Sequence, residues 1–449
     1  MAQIKAGTEN ARENPDIIVE GGIILTMVQG QAPLEDMSVL IKGDRILDIC
    51  PSQSLIKNRD VLKIDAQRGI IMPGLVNAHC HAAMTLFRGF SDDLPLKQWL
   101  YEKIFPAEAK FLNPDTIYWG TLLGCLEMVA SGTTACIDSY FFQDSAAKAF
   151  HEAGLRALVA QGVIDFPAPG VENPKDNVKN GQEFVEKWLG FSELIIPSLF
   201  CHSPITCSEK TLLDTLEICQ KYQIPLQTHL SETVDEVEEI IKRTGKRPAF
   251  FLDDIGFLSE SLIAAHAVHL EKEEIECLNE KKVRIVHVPE SNMKLASGTA
   301  PVPEMIKRGL HPGLGTDGCA SNNNLDLFQE MDTAAKLGKV MTEEPVSMEA
   351  ETVLKMATTW GVEVMGLVKE IGTLEKGKKA DLIVIDGNNP HLVPLYNPIS
   401  TIVYAASGAD VKDVIVNGQI LLKNREFQIL DPHRILNKVN EISQIIAKG

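Results

Sequence analysis

Several things are scarce in this sequence, and each scarcity excludes a class of protein. Positive charge is short: the 449 residues carry 43 Lys plus Arg against 61 Asp plus Glu, a formal charge of −18. That balance argues against nonspecific binding to nucleic acid or anionic membranes, both of which depend on clustered cations. No stretch approaches the roughly eighteen uninterrupted apolar residues of a spanning helix. The nine cysteines are odd in number, scattered and without a CxxC pair, so a disulfide framework is excluded and free thiols in a reducing compartment are expected. Residues 1–16 are polar and mixed in charge rather than signal-like, and a cytoplasmic protein is the expectation.

What remains is an ordinary globular composition, 45% hydrophobic and 23% charged, at a length suited to a large barrel with an accessory domain. From residue 16 to 61 short apolar bursts are broken by Gly21-Gly22 and Lys42-Gly43-Asp44, the texture of strands joined by tight turns. The same texture returns after residue 380, where Asn417-Gly418 is a hairpin signal. Between these β-rich ends, strand-like cores at 69–81, 133–140, 156–165, 194–202, 225–232, 262–270, 283–288 and 310–318 alternate with amphipathic stretches such as 114–131, 209–222 and 235–244. Eight such βα units predict an α/β architecture closed into a (β/α)8 TIM-like barrel. An open doubly wound sheet is the alternative, but it calls for a glycine-rich loop after the first strand, where Asn77-Ala78-His79-Cys80-His81 stands instead.

Polar residues suited to metal binding fall where these strands should end. His79 and His81 follow the apolar run 70–76, and residues two apart in a strand point to one side, so both imidazoles can reach one ion. His229, in Thr228-His229-Leu230-Ser231-Glu232, and Asp317, in Gly315-Thr316-Asp317-Gly318, close two other apolar strands, where an unpaired polar group would be costly to bury. Alone, Asp317 could equally cap backbone amides in a glycine-rich turn. As a set, three imidazoles and a carboxylate predict a site for one divalent ion, Zn²⁺ ahead of Fe²⁺, with room for a water.

With these residues in view, the chain resembles the amidohydrolase superfamily and, within it, the 5-methylthioadenosine/S-adenosylhomocysteine deaminase family. The resemblance rests on residues 73–81, on Trp99 with Pro106-Ala107-Glu108, on His202-Ser203-Pro204, on His229-Leu230-Ser231-Glu232, on residues 265–270 and 291–298, and on Gly315-Thr316-Asp317-Gly318. It implies a barrel over residues 72–368 and a composite β-sandwich from residues 1–71 and 369–449, the latter ending in a helix. It also implies a hydrolase that removes the exocyclic amine of an adenosine-type nucleoside as ammonia, a small-molecule substrate, and assembly as a homo-oligomer. A divalent ion would lower the pKa of water to supply the attacking hydroxide. Glu232 would then protonate the ring, and His266 and Asp317 would orient the nucleophile and take its proton. The resemblance further places Glu108 on the ribose hydroxyls and His202 on another part of the nucleoside, with Trp99 as a further substrate contact.

Two more absences refine the class. HxE followed by PCxxC, the other zinc deaminase signature, is missing. The strand 194–201 has no lysine, so the carboxylated lysine of binuclear relatives has no counterpart and a single metal is expected. One departure bears on the substrate: Gln161 stands where family members acting on S-adenosylhomocysteine place an arginine for its carboxylate. An amide lacks the charge-assisted bidentate pair. Methylthioadenosine, 5-deoxyadenosine or adenosine is therefore expected to be preferred. The rival readings are an aminohydrolase or chlorohydrolase of a free purine, pyrimidine or triazine ring, for which Glu108 would have no ribose to meet, and a catalytically silent metal-binding homologue.

Overall fold

The computed structural model describes residues 15–55 and 61–448. Strands β1 (Leu75–His81), β2 (Thr133–Tyr140), β3 (Arg156–Val163), β4 (Ile195–Cys201), β5 (Leu226–Leu230), β6 (Leu262–His266) and β7 (Arg284–His287) lie side by side and parallel. The eighth position, β8, is split into Gly313–Leu314, paired with β7, and Asp317–Gly318, paired with β1. Because the two halves of one strand sit at opposite ends of the sheet, the sheet closes on itself as a (β/α)8 barrel. Closure is tight at the break: a Cβ on Gly315 would lie 2.8 Å from the His79 main chain, so only glycine fits there.

The strands read as continuous apolar runs because both of their faces are covered, as expected for a parallel sheet wrapped in helices. Val76, Ile137, Leu158, Ile263 and Val286 form one buried cluster with Val362 and Met365 of the helix Thr359–Met365. They fill the end of the barrel away from His79. The helices Pro114–Ala130, Glu209–Tyr222 and Val234–Thr244 stand where they are expected, but only the last two are amphipathic: the first is buried on most of its circumference, and it is opened by the Asn113 side chain accepting from the N–H groups of Asp115 and Thr116.

Two smaller sheets make the accessory layer. One holds Arg45–Pro51, Met37–Lys42, Ile17–Glu20 and Leu62–Asp65. In the other, Leu382–Ile385 from the C-terminal part pairs antiparallel with Ile70–Pro73 from the N-terminal part. Side chains from both parts, among them Ile17, Val39, Ile71, Leu382 and Ile415, share one core. Asn417 and Gly418 both take positive φ in the hairpin between Val411–Val416 and Gln419–Lys423. The buried Arg156 guanidinium at the foot of β3 meets the Asp381 carboxylate with two bonds, 2.8 and 3.1 Å long, and ties the layers together.

Two strand expectations need correcting. The stretch 69–81 is two strands, since Ile70–Pro73 joins the sandwich and β1 begins at Leu75; Gly74 packs against Thr134 with no space for a side chain. The stretch 262–270 ends as a strand at His266, because His266 and Ala267 both take positive φ and leave the extended conformation. Among the described residues no helix is long and apolar enough to cross a membrane.

Candidate metal centre and nucleoside cavity

The C-terminal ends of β1, β5 and β8 bring four potential ligands together. His79, His81, His229 and Asp317 each offer one atom, and these atoms all lie within 4.8 Å of one another. His79 Nε2 stands 3.2 Å from His229 Nε2, and Asp317 Oδ1 lies 3.6 Å from His79 Nε2 and 3.2 Å from His81 Nε2. Donors about 2.0–2.1 Å from one ion at tetrahedral angles stand about 3.3 Å apart, so the spacing fits a small divalent cation.

The protonation states fit as well. Burial pushes His79 down to about 4 and His229 well below the usual imidazole range, so both present lone pairs at neutral pH. For Asp317 burial favours the acid, yet bonds and charge from His79 and His81 outweigh it and hold the carboxyl well below its usual range. His81 donates its Nδ1–H to the Ser139 carbonyl at the end of β2, so Nε2 is the nitrogen it turns toward the other ligands; although burial opposes it, the bond and charge of Asp317 push the His81 pKa up. Asp317 divides its oxygens: Oδ2 accepts from the hydroxyls of Ser291 at 2.6 Å and Ser321 at 2.8 Å, leaving Oδ1 toward the imidazoles. Asp138 supports the turn after His81 by accepting from the Ala82 N–H at 2.6 Å.

Two further groups face this cluster. His266 is 1% exposed, and its Nε2 stands 3.7 Å from Glu232 Oε2 while its Nδ1 meets Asn292 Oδ1 at 2.9 Å. Glu232 accepts from Ser297 through Oε1, and its main-chain N–H donates to Glu236 Oε2 at 2.7 Å. Burial raises the Glu232 pKa above the usual carboxyl range, the setting of a proton donor. Ser231, His266 and Asp317 all hold positive φ, at 50°, 72° and 59°. Such strain persists only where the surroundings impose it, and it gathers at functional sites.

The cluster forms one wall of a cavity whose other walls are apolar, with Trp99, Leu100, Phe105 and Leu295 among them. Much of the cover comes from the excursion after β1, where Leu96–Gln98, a π-helical turn at Trp99–Ile104 and the helix Phe105–Phe111 run in succession. Trp99 is fixed by its indole N–H on the Ser91 carbonyl at 3.0 Å. From Phe105–Phe111, Glu108 reaches the same cavity and accepts from the Tyr140 hydroxyl at 2.5 Å; burial pushes its carboxyl up to about 7. His202, just past β4, bonds Thr206 through Nδ1 at 3.0 Å and stands edge-on to His229. The cavity opens into a groove of about 590 Å³ that shares Leu100, Phe105, His202 and Glu232 with it.

Gln161 is the exception among the expected site residues. Its amide accepts from the Gln143 N–H and donates to the Gly162 carbonyl, and it lines a separate outer groove with Phe142, Asp144 and Gly170. Gly162, Val163 and Ile164 face the cavity in its place. Sequence reasoning gave no role to Tyr140, Ser139, Ser321 or Glu236. Only Tyr140, at the end of the second strand core, carried a signal in its position.

Comparison with known proteins agrees with this geometry. The amidohydrolase family model matches residues 70–421. The 5-methylthioadenosine/S-adenosylhomocysteine deaminase of Syntrophobacter fumaroxidans is 44% identical over 96% of this chain and 98% of its own length. The 5'-deoxyadenosine deaminase of Methanosarcina mazei is 43% identical over 96% of this chain and 98% of its own. Among solved structures, an adenosine deaminase from Xanthomonas campestris with bound zinc superposes with a TM-score of 0.93 at 33% identity, covering 97% of this chain and 99% of that one.

Proposed function

Since the chain belongs to the amidohydrolase family, and within it to the 5-methylthioadenosine/S-adenosylhomocysteine deaminase branch, we propose that it is a metal-dependent hydrolytic deaminase of adenosine-type nucleosides. The products are ammonia and the inosine-type nucleoside. The observation that carries this reading is the Glu232–His266 pair facing a cluster of three imidazoles and one carboxylate across a cavity that also holds Glu108.

His79, His81, His229 and Asp317 would hold one divalent ion, Zn²⁺ in this reading and Fe²⁺ as the alternative. Such an ion, when bound, lowers the pKa of a water molecule toward neutrality and so supplies a nucleophile. Glu232, whose pKa burial raises above the usual carboxyl range, donates to the adenine ring nitrogen and later passes a proton to the departing amine. His266, oriented by Asn292, and Asp317 take the proton of the attacking water. Glu108 accepts from the ribose hydroxyls, His202 meets another part of the nucleoside, and Trp99 walls the cavity.

The 5′ end of the nucleoside points into the groove. Among its described lining residues there is no arginine, and Asp93, Asp235, Glu236 and Glu239 outnumber Lys97 and Lys294. Methylthioadenosine, 5′-deoxyadenosine and adenosine are therefore preferred over S-adenosylhomocysteine. The reading extends to a cytoplasmic homo-oligomer with neither nucleic acid nor membrane as partner.

Ammonia release from a panel of nucleosides, free bases and triazines by metal-replete protein tests the proposal. Turnover confined to adenosine-type nucleosides, and reduced about a thousandfold in Glu232→Gln, is the expected result. No turnover, or turnover of free bases that survives Glu108→Ala, overturns it.

A further inference from the structure

We propose that Tyr140 is a positioning residue for ribose recognition: by holding the Glu108 carboxyl it makes the site select nucleosides that carry both ribose hydroxyls. The inference rests on the reading that Glu108 meets the ribose.

Glu108 and Tyr140 reach the cavity from different parts of the fold. Glu108 belongs to the helix Phe105–Phe111 within the excursion that covers the barrel mouth, whereas Tyr140 ends β2 of the barrel itself. The bond between them therefore ties the cover to the wall that holds the metal ligands: Ser139, next to Tyr140, accepts from His81, and the Tyr140 and His81 rings lie 5.9 Å apart. Both side chains are buried, Glu108 at 4% and Tyr140 at 6% exposure. Among the described residues Tyr140 is the only hydrogen-bond partner of the Glu108 carboxyl.

A free glutamate in an apolar cavity has several rotamers of similar energy and would order only when substrate arrives, which weakens binding. An anchored one is ready beforehand. A carboxylate offers about four lone-pair sites, and Tyr140 takes one of them on Oε1. The remainder accept the two adjacent hydroxyls of a ribose. The tyrosine stays a donor throughout, because burial and the neighbouring carboxyl hold its pKa well above the usual phenol range. Sites built to accept hydroxyl donors reject analogues that lack them, since the buried acceptor is then left unpaired. Anchoring strengthens that rejection by keeping the carboxyl from turning to another partner.

The test compares wild type, Tyr140→Phe and Glu108→Gln, all metal-replete, on a ribonucleoside substrate and its 2′-deoxy and 3′-deoxy analogues. Tyr140→Phe keeps the ring and removes only the donor. Its expected effect is a KM for the ribonucleoside raised about tenfold, the scale of one hydrogen bond to a charged group, with a smaller change in kcat and a narrowed preference over both deoxy analogues. Unchanged KM and preference in Tyr140→Phe, beside a clear loss in Glu108→Gln, overturns the role of Tyr140 while the ribose reading stands. Wild-type indifference to the deoxy analogues, with no effect of Glu108→Gln, overturns both. A uniform fall in kcat on all three substrates would mark a structural role and likewise overturn the proposal.

Discussion

His79 and His229 face each other through their Nε2 atoms at 3.2 Å, although the residues lie 150 positions apart in the chain. Burial keeps both imidazoles neutral at pH 7, so each has one lone pair to offer beside the Asp317 carboxylate, and a cation can take both where a single shared proton would engage only one. Metal binding is therefore expected to stabilise the fold as well as enable turnover. A ligand at a thousandfold excess over its Kd adds about 4 kcal/mol. Stripping the protein with a chelator should lower Tm by several degrees and abolish ammonia release, and Zn²⁺ should restore both. Full activity in protein shown by elemental analysis to be metal-free would refute the metal reading.

The division of labour at Asp317 gives a second expectation. Ser291 and Ser321 both donate to Oδ2, so each hydroxyl turns Oδ1 toward the imidazoles, and Ser291 does so without lining the cavity. Outer partners of metal ligands contribute about 10- to 100-fold in affinity or activity. Ser291→Ala should lose about that much metal affinity, measured by competition with a chromogenic chelator, with Tm of the metal-free form little changed. An equal loss of stability with and without metal would show that the hydroxyl serves only the fold.

How much of this was legible in the sequence depends on the distance over which each signal acts. The His79–His81 pair could be read because strand parity is local and an apolar run precedes it. His229 and Asp317 were legible because a polar residue closing an apolar strand is conspicuous. The supporting groups were hidden: that Ser291 meets Asp317, or that a Ser139 carbonyl fixes His81, depends on the register of β2, β7 and β8 around a closed barrel. Gln161 enters the site through the resemblance alone, and a residue-by-residue match does not say which way a side chain at a strand end turns. Gly162, Val163 and Ile164 all face the cavity in succession, which an ideal strand forbids, and an offset of one residue moves a side chain to the other face. The 69–81 stretch was read as one strand because apolar character continues through Gly74 while the chain passes from one sheet to another.

Glu236 ties pH to stability. Burial, aided by the nearby Glu232 charge and opposed by the Glu232 N–H bond, pushes its carboxyl from 4.5 up to about 7. Between those values the folded state keeps a proton that the unfolded chain has released, so stability falls as pH rises through that window. The loss above pH 7 is on the order of 3 kcal/mol. Glu236→Gln is uncharged at every pH, and its amide oxygen can still accept the Glu232 N–H. The variant should match wild type near pH 5 and exceed it at pH 8, by urea denaturation. A difference of the same size at both values would mean that its proton does not set the trend.

The outward orientation of Gln161 separates two accounts of substrate choice. If the residue at 161 decided the fate of a carboxylate-bearing 5′ substituent, Gln161→Arg would restore its recognition. The side chain instead lines the outer groove beside Asp144, so that substitution should leave the ratio of kcat/KM for S-adenosylhomocysteine and methylthioadenosine unchanged. Within the groove that does receive the 5′ end, Lys294 is already paired with Asp92. Lys97 lines the groove with no ion pair among the described residues, and is the cation left to meet a substrate carboxylate. An exposed pair of that kind contributes about 0.2–1 kcal/mol, so Lys97→Met should lower kcat/KM for S-adenosylhomocysteine by a few-fold at low salt and leave methylthioadenosine unaffected. A large gain from Gln161→Arg would mean that this strand end turns inward when substrate binds. Equal losses on both substrates in Lys97→Met would remove the groove from the discrimination altogether.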